Sequence, residues 1–208
     1  MKAVLISIQP KWVELIARGK KTIEVRKSRP KLEAPFKCYI YCTKGKPTIF
    51  ESDGLVNGDI PYFYNGYVMG EFVCDKITDI SVVVRNCNED YNHVYHNDEC
   101  KGSCLTWKEL QEYGKGKTLY GWHISDLKVY GEPKELSEFY KPFKYDGDGL
   151  ICGTEKEIND IYEWDCETLF KNKYPNFDFE NCKCEDCPKA KDFYRLKLAP
   201  QSWCYVES

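Results

Sequence analysis

Residues 2–27, KAVLISIQPKWVELIARGKKTIEVRK, read as a strand, a helix and a second strand in immediate succession. Lys2 to Ile8 is rich in β-forming residues. Gln9-Pro10 ends that strand, and a proline suits the first turn of a helix. Trp12, Val13, Leu15 and Ile16 then follow helical spacing as far as Arg18. Gly19 suits the left-handed position past a helix end, and Arg18 suits the negative end of the helix dipole. From Lys21 to Lys27, Ile23 and Val25 alternate with Glu24 and Arg26, so the two charged side chains share one face of a strand.

Working outward, Phe36 to Cys42 places Phe36, Cys38, Ile40 and Cys42 on one face. Tyr67 to Ile80 is a long strand with Gly70 as a bulge position. Thr106 and Glu109 form a capping box that opens a short helix through Tyr113. Leu119 to Tyr130 is another strand, followed by Pro133 and a helical piece to Tyr140. Phe193 to Val206 reads as the strand that closes the sheet. Many short strands with few helices predict an α+β, mainly β architecture, a closed or nearly closed β-barrel with peripheral helices.

The chain has 208 residues and 42% hydrophobic content, enough to bury the core of a single domain spanning 1–208 with an insertion. That insertion is acidic, turn-rich and cysteine-rich, and runs from about 144 to 191. No apolar run approaches the roughly 18 residues that a membrane helix needs. The N-terminal stretch lacks a signal-peptide cleavage pattern, which points to the cytoplasm and to reduced or metal-bound thiols for the 12 cysteines.

A net charge of -3 does not announce a nucleic-acid protein, but the average hides an asymmetry. Lys11, Arg18, Lys20, Lys21, Arg26, Lys27, Arg29 and Lys31 face only Glu14, Glu24 and Glu33. The strand-helix-strand return brings Ser7 and Gln9 toward Lys21, Glu24 and Arg26. The helix N-terminus adds free amide donors, and together these groups suit a phosphate, a carboxylate or a base edge. Trp12 among the cations is the usual equipment for stacking on single strands. A plainer reading also fits: Glu24 and Arg26 pair on a solvent face, and Trp12 anchors the core.

Gly19-Lys20-Lys21-Thr22-Ile23-Glu24-Val25-Arg26 matches the pattern G-x-K-x-x-E-x-R. That pattern, with the opening SIQPKWVELIARGKKTIEVRKSRP and the segments MGEFVCDKI (Met69 to Ile77), YGWHISDL (Tyr120 to Leu127) and APQSWCYV (Ala199 to Val206), resembles the ASCH domain family. The likeness is to the short ASCH type met in bacteria and their phages. It implies a PUA-like β-barrel with a cleft for RNA or a nucleotide-like molecule, with Lys21, Glu24 and Arg26 in or beside it. The segments that carry His123, Ser125, Gln201 and Ser202 bring those residues in as further ligand contacts.

Some small ASCH proteins remove an acyl group from acetylated cytidine, and others are described as ribonucleases. The resemblance therefore makes Lys21 and Glu24 the catalytic pair if the chain is a hydrolase. In the amidohydrolase pattern, however, a threonine nucleophile stands where this chain has Glu24. A carboxylate does not replace it as acyl acceptor in that mechanism, although it suits a general base.

Cys182, Cys184 and Cys187 lie within one tight turn of the insertion, with Cys166 or Cys152 as a fourth thiol. Such a cluster suits a structural, tetrahedral Zn2+ that would fold a segment too polar to build its own core. His93, His96, Cys100 and Cys104 have a second spacing that suits a metal. Cys38, Cys42, Cys74 and Cys204 read as small core residues. The acidic insertion also suits a different role, as the contact surface of a protein-interaction module.

Overall fold

The computed structural model describes residues 2–45, 65–80, 101–142, 145–146, 149–150, 191 and 193–207. Strand β1 (Lys2–Ile8) leads into helix α1 (Pro10–Ala17), β2 (Ile23–Arg26), β3 (Phe36–Cys42) and β4 (Val68–Ile80). Helix α2 (Trp107–Gly114) and the long β5 (Leu119–Lys134) follow. A short β6 (Tyr145–Asp146) and β7 (Gly149–Leu150) pair with each other, and β8 (Trp203–Glu207) ends the chain. Among the described residues, no helix is long and apolar enough to cross a membrane.

The main sheet has six strands in the order β2-β5-β4-β3-β1-β8. Only β1 and β3 run parallel, with α1 and β2 in the connection between them; the other neighbours are antiparallel. Strand β3 is buried on both faces. Phe36, Cys38, Ile40 and Cys42 enter one apolar cluster with Trp122, while Tyr39 and Tyr41 enter another with Phe139 and Leu196. Cys38, Cys42 and Cys74 are buried, and their thiols are pushed up in pKa, chiefly by burial.

The α+β, mainly β class is as expected, but the sheet is not closed, which corrects the expected barrel. The pairing β4–β5 shifts register three times, and Gly70 sits at one of the shifts. A side chain at Gly70 would lie 2.5 Å from the Lys128 carbonyl oxygen, so only glycine fits there. Such bulges bend the strands and curl β2 round toward β1 and β8. Closure by a backbone ladder then fails for a local reason. Strand β2 ends after four residues, and the following segment carries Pro30 and Pro35, which have no amide hydrogen to donate. Side chains bridge the gap instead: Trp203 Nε1 donates to Ser28 Oγ at 3.1 Å, and the Lys31 amide donates to the Tyr205 hydroxyl at 2.7 Å.

The closing strand is also shorter than expected, with β8 confined to Trp203–Glu207. Arg195 makes only an isolated bridge with Tyr140. Strand β5 runs four residues past Tyr130, and the helical piece after it is one 3-10 turn at Leu136–Glu138.

Candidate functional site

Helix α1 begins at Pro10 with Gln9 as its N-cap, in extended backbone and with no side-chain capping bond. The Gln9 side chain is exposed. The helix ends at Arg18, and Gly19 adopts φ +69°, as a left-handed turn requires. The turn delivers Lys21 into the interior, where its side chain is only 2% exposed.

Lys21 Nζ lies 3.4 Å from Glu24 Oε2, and Glu24 Oε1 lies 3.1 Å from Arg26 Nη2. The triad is tied to its surroundings through backbone carbonyls. Lys21 Nζ donates to Ser103 O, and Arg26 Nη2 donates to Ser7 O, both at 2.5 Å. Lys21 also sits over the Trp12 ring, 5.1 Å from its centre. Burial pulls the Lys21 pKa below its ordinary value, with the Glu24 carboxylate pulling the other way.

Ser103 belongs to a turn that sequence reading missed. Thr22 and Ile23 donate their amides to Gly102 O, Cys104 has φ 56°, and Ser103 is fully buried. A carbonyl acceptor leaves no mark in a residue code; the only signal was Gly102-Ser103 near a cysteine assigned to a metal cluster. Cys104 donates its thiol to Lys20 O at 3.3 Å. His93, His96 and Cys100 lie outside the described residues, as do Cys152, Cys166, Cys182, Cys184 and Cys187. Among the described residues, no group of three His, Cys, Asp or Glu side chains suits a metal ion.

Ser7 joins three segments. Its hydroxyl donates to Pro200 O at 2.6 Å, its amide donates to Ser202 O at 2.8 Å, and its carbonyl receives Arg26. The expected meeting of Ser7 with the signature charges therefore occurs, but not by adjacency in the sheet. Strands β1 and β2 are separated by three others, and the curl brings them together. Ser202 is half-buried and contributes its carbonyl, while Gln201 is exposed.

His123 stands apart from this cluster. It pairs in register with Ile23, whereas Glu24 pairs with Trp122 and Arg26 with Tyr120. Directly opposed residues share a face, so His123 lies on the side of the sheet away from Glu24. There its Nε2 meets Thr78 Oγ1 at 3.1 Å. Ser125 likewise spends its hydroxyl on Val73 O.

The triad keeps hydrogen-bonding capacity in reserve. Glu24 Oε2, Arg26 Nε and the neighbouring Trp122 Nε1 are buried without a hydrogen-bond partner. Glu24 Oε2 faces the Lys21 ammonium at 3.4 Å, a charge contact longer than an ordinary hydrogen bond. Two cavities are formed elsewhere by described residues. One of about 530 Å³ lies along residues 29–34 and Ile77; the other, of about 650 Å³, lies beyond Tyr41 and Tyr67. Neither of these two is lined by Lys21, Glu24 or Arg26.

A family model for the ASCH domain matches residues 6–176, running into the cysteine-rich segment and stopping short of β8. The crystal structure of the ASCH protein from Zymomonas mobilis is 18% identical, covers 78% of this chain and 94% of its own, and has a TM-score of 0.44. A tyrosine-to-phenylalanine variant of that protein gives 16% identity, 79% and 99% coverage and a TM-score of 0.44. No curated protein matches the chain. The ASCH domain is a PUA-like fold of the RNA-binding and hydrolase type, and it fits nucleic-acid binding in general. Since the matched residues make up most of its length, the chain belongs to the ASCH domain family.

Proposed function

We propose that the protein binds RNA or a nucleotide-like ligand at the corner where Lys21, Glu24 and Arg26 meet the end of β1. The observation that carries this reading is the unspent hydrogen-bonding capacity of Glu24 Oε2, Arg26 Nε and Trp122 Nε1. Buried polar atoms without partners are rare and costly, and an occupant with two acceptors and a donor removes the cost. Base edges carry such groups. Close to the triad in the chain are the exposed cations Lys11, Lys20, Lys27, Arg29 and Lys31, which suit a phosphate backbone, and Arg18, which is paired with Glu14. Trp12 is half-buried, with Lys11 Nζ 4.5 Å from its ring centre.

The test is fluorescence anisotropy with a labelled single-stranded RNA at 50 and 200 mM salt. Wild type is compared with Lys11→Ala/Lys20→Ala on the exposed rim and with Glu24→Gln inside. Binding is expected to weaken with salt, and removing one lysine that meets a phosphate should flatten the logarithmic slope by about 0.7. Wild-type protein that leaves the RNA free, or variants that both bind as wild type does, would overturn the reading.

A hydrolase is the second reading, favoured by the lowered pKa of Lys21. An amine with a depressed pKa serves as a base or nucleophile nearer neutral pH, and Glu24 stands beside it. Incubation of concentrated protein with mixed-sequence RNA and with acetylated cytidine tests both hydrolase types. Turnover that disappears in Lys21→Met supports this reading, and two intact substrates exclude it.

A further inference from the structure

On the face of the sheet opposite Glu24 and Trp122, a cavity of about 650 Å³ lies between the end of β3, the turn before β4 and the segment before β8. Three cations line it, Lys44, Arg195 and Lys197, against one carboxylate, Glu135. That carboxylate is already used. It caps the 3-10 turn at Leu136–Glu138 and accepts from Ser137 Oγ at 3.1 Å. Lys44 and Lys197 have no ion-pair partner among the described residues, and Arg195 Nε is buried without a hydrogen-bond partner. The groove is therefore a local positive site on a chain with a formal charge of -3.

Its remaining walls are aromatic and apolar. Tyr67 is 37% exposed, although large rings usually bury more, and Tyr41 lies beside it in the lining. Arg195 stacks on Tyr140 at 5.6 Å, which holds the guanidinium in place. Lys44 lies against Gly66, whose φ of +95° suits glycine; a side chain there would meet Lys44 Cε at 3.0 Å. Uncompensated cations beside an exposed ring are the combination that single-stranded nucleic acid uses, with phosphates on the charges and a base on the ring.

We infer that this groove is a second RNA-contacting surface, taking phosphate oxygens on Lys44, Arg195 and Lys197 and a base against Tyr67. It goes beyond the reading of the signature corner and does not depend on it, since the two share no residue and lie on opposite faces of the sheet.

The experiment titrates a labelled 12-nucleotide polyuridine at 50 and 200 mM salt into wild type, Lys44→Ala/Lys197→Ala and Lys11→Ala/Lys20→Ala. Circular dichroism checks that each variant is folded. Removing two lysines that meet phosphates should flatten the salt slope by about 1.4, so the groove variant loses about sevenfold less affinity between the two salts than wild type does. Tyr67→Ala should weaken binding at both salts without changing the slope. A groove variant that matches wild type while the Lys11/Lys20 variant fails overturns the groove and leaves the signature corner standing. The reverse pattern retains the groove and removes the corner. Wild type that binds no RNA, or an oligoglutamate of equal charge that displaces the RNA at equal concentration, overturns the groove as a nucleic-acid surface.

Discussion

Two lysine–glutamate pairs in this sheet have the same 3.4 Å separation and opposite surroundings. Lys21 and Glu24 are 2% and 8% exposed, whereas Lys37 and Glu71, which bridge β3 and β4, are 43% and 21% exposed. Lys37 reaches a carboxylate that already holds the Tyr130 hydroxyl at 2.6 Å. Burial alone would raise the Glu71 pKa, but the Tyr130 hydroxyl and Lys37 outweigh it and leave it lowered. At Lys21 the balance tips the other way, because desolvation outweighs the attraction of Glu24. Distance is therefore a poor guide to what an ion pair contributes. The outer pair is replaceable decoration on a strand pairing, while the inner one, together with Arg26, ties its segment to Ser103 and to Ser7.

The contrast can be broken most sharply at Glu24. Glu24→Ala leaves two cations buried without their shared anion, and equilibrium urea unfolding should show a loss of about 3–5 kcal/mol. Replacing Lys21, Glu24 and Arg26 together by Met, Leu and Met should restore most of that stability while abolishing RNA binding. A triple variant as unstable as Glu24→Ala would mean that the triad does more than satisfy its own charges.

A pH series sharpens the same point. Because Lys21 is depressed in the folded state, the unfolded chain binds more protons between that lowered pKa and 10.5. Lys21 therefore costs stability at neutral pH, and the cost is relieved as pH rises through that window. Lys21→Met should remove this rise in unfolding free energy, with the rest of the alkaline profile unchanged.

Ser7→Ala tests the tie between the triad and the chain end. It removes the hydroxyl donated to Pro200 O, and should lower stability by about 1 kcal/mol in the same unfolding assay. Lys37→Ala should give the smallest effect, less than about 1 kcal/mol and smaller still in high salt. A larger cost there would erase the distinction between the two pairs.

Much of this arrangement was legible in the residue order. Strands β1 and β3 follow from runs of β-formers and alternation, and their boundaries agree with the reading. The capping box at Thr106 forms as its residues dictate, with Glu109 returning a carboxylate to the Thr106 amide. What failed depended on pairings far apart in the chain. Whether β2 meets β8 is decided by bulges in β4–β5 and by Pro30 and Pro35, not by either strand alone. The face of His123 follows from its register with Ile23, which no local pattern encodes. The depth of Lys21 was hidden because a lysine normally signals solvent, and its main acceptor is the Ser103 backbone carbonyl.

The gap between the two edges of the sheet gives these buried charges a door. A closed ladder would have to be unzipped, bond after bond, before anything reached Glu24. Here the latch consists of Trp203 on Ser28, Tyr205 on the Lys31 amide, and Arg26 on Ser7. The two neutral bonds are worth about 1 kcal/mol each, and the charge-assisted bond to Arg26 about 1.5–3 kcal/mol. Releasing them breaks no strand pairing of the sheet, but parting the two edges also lifts Trp203 from Trp122, whose ring centres lie 5.9 Å apart, so aromatic packing shares in holding the edges together.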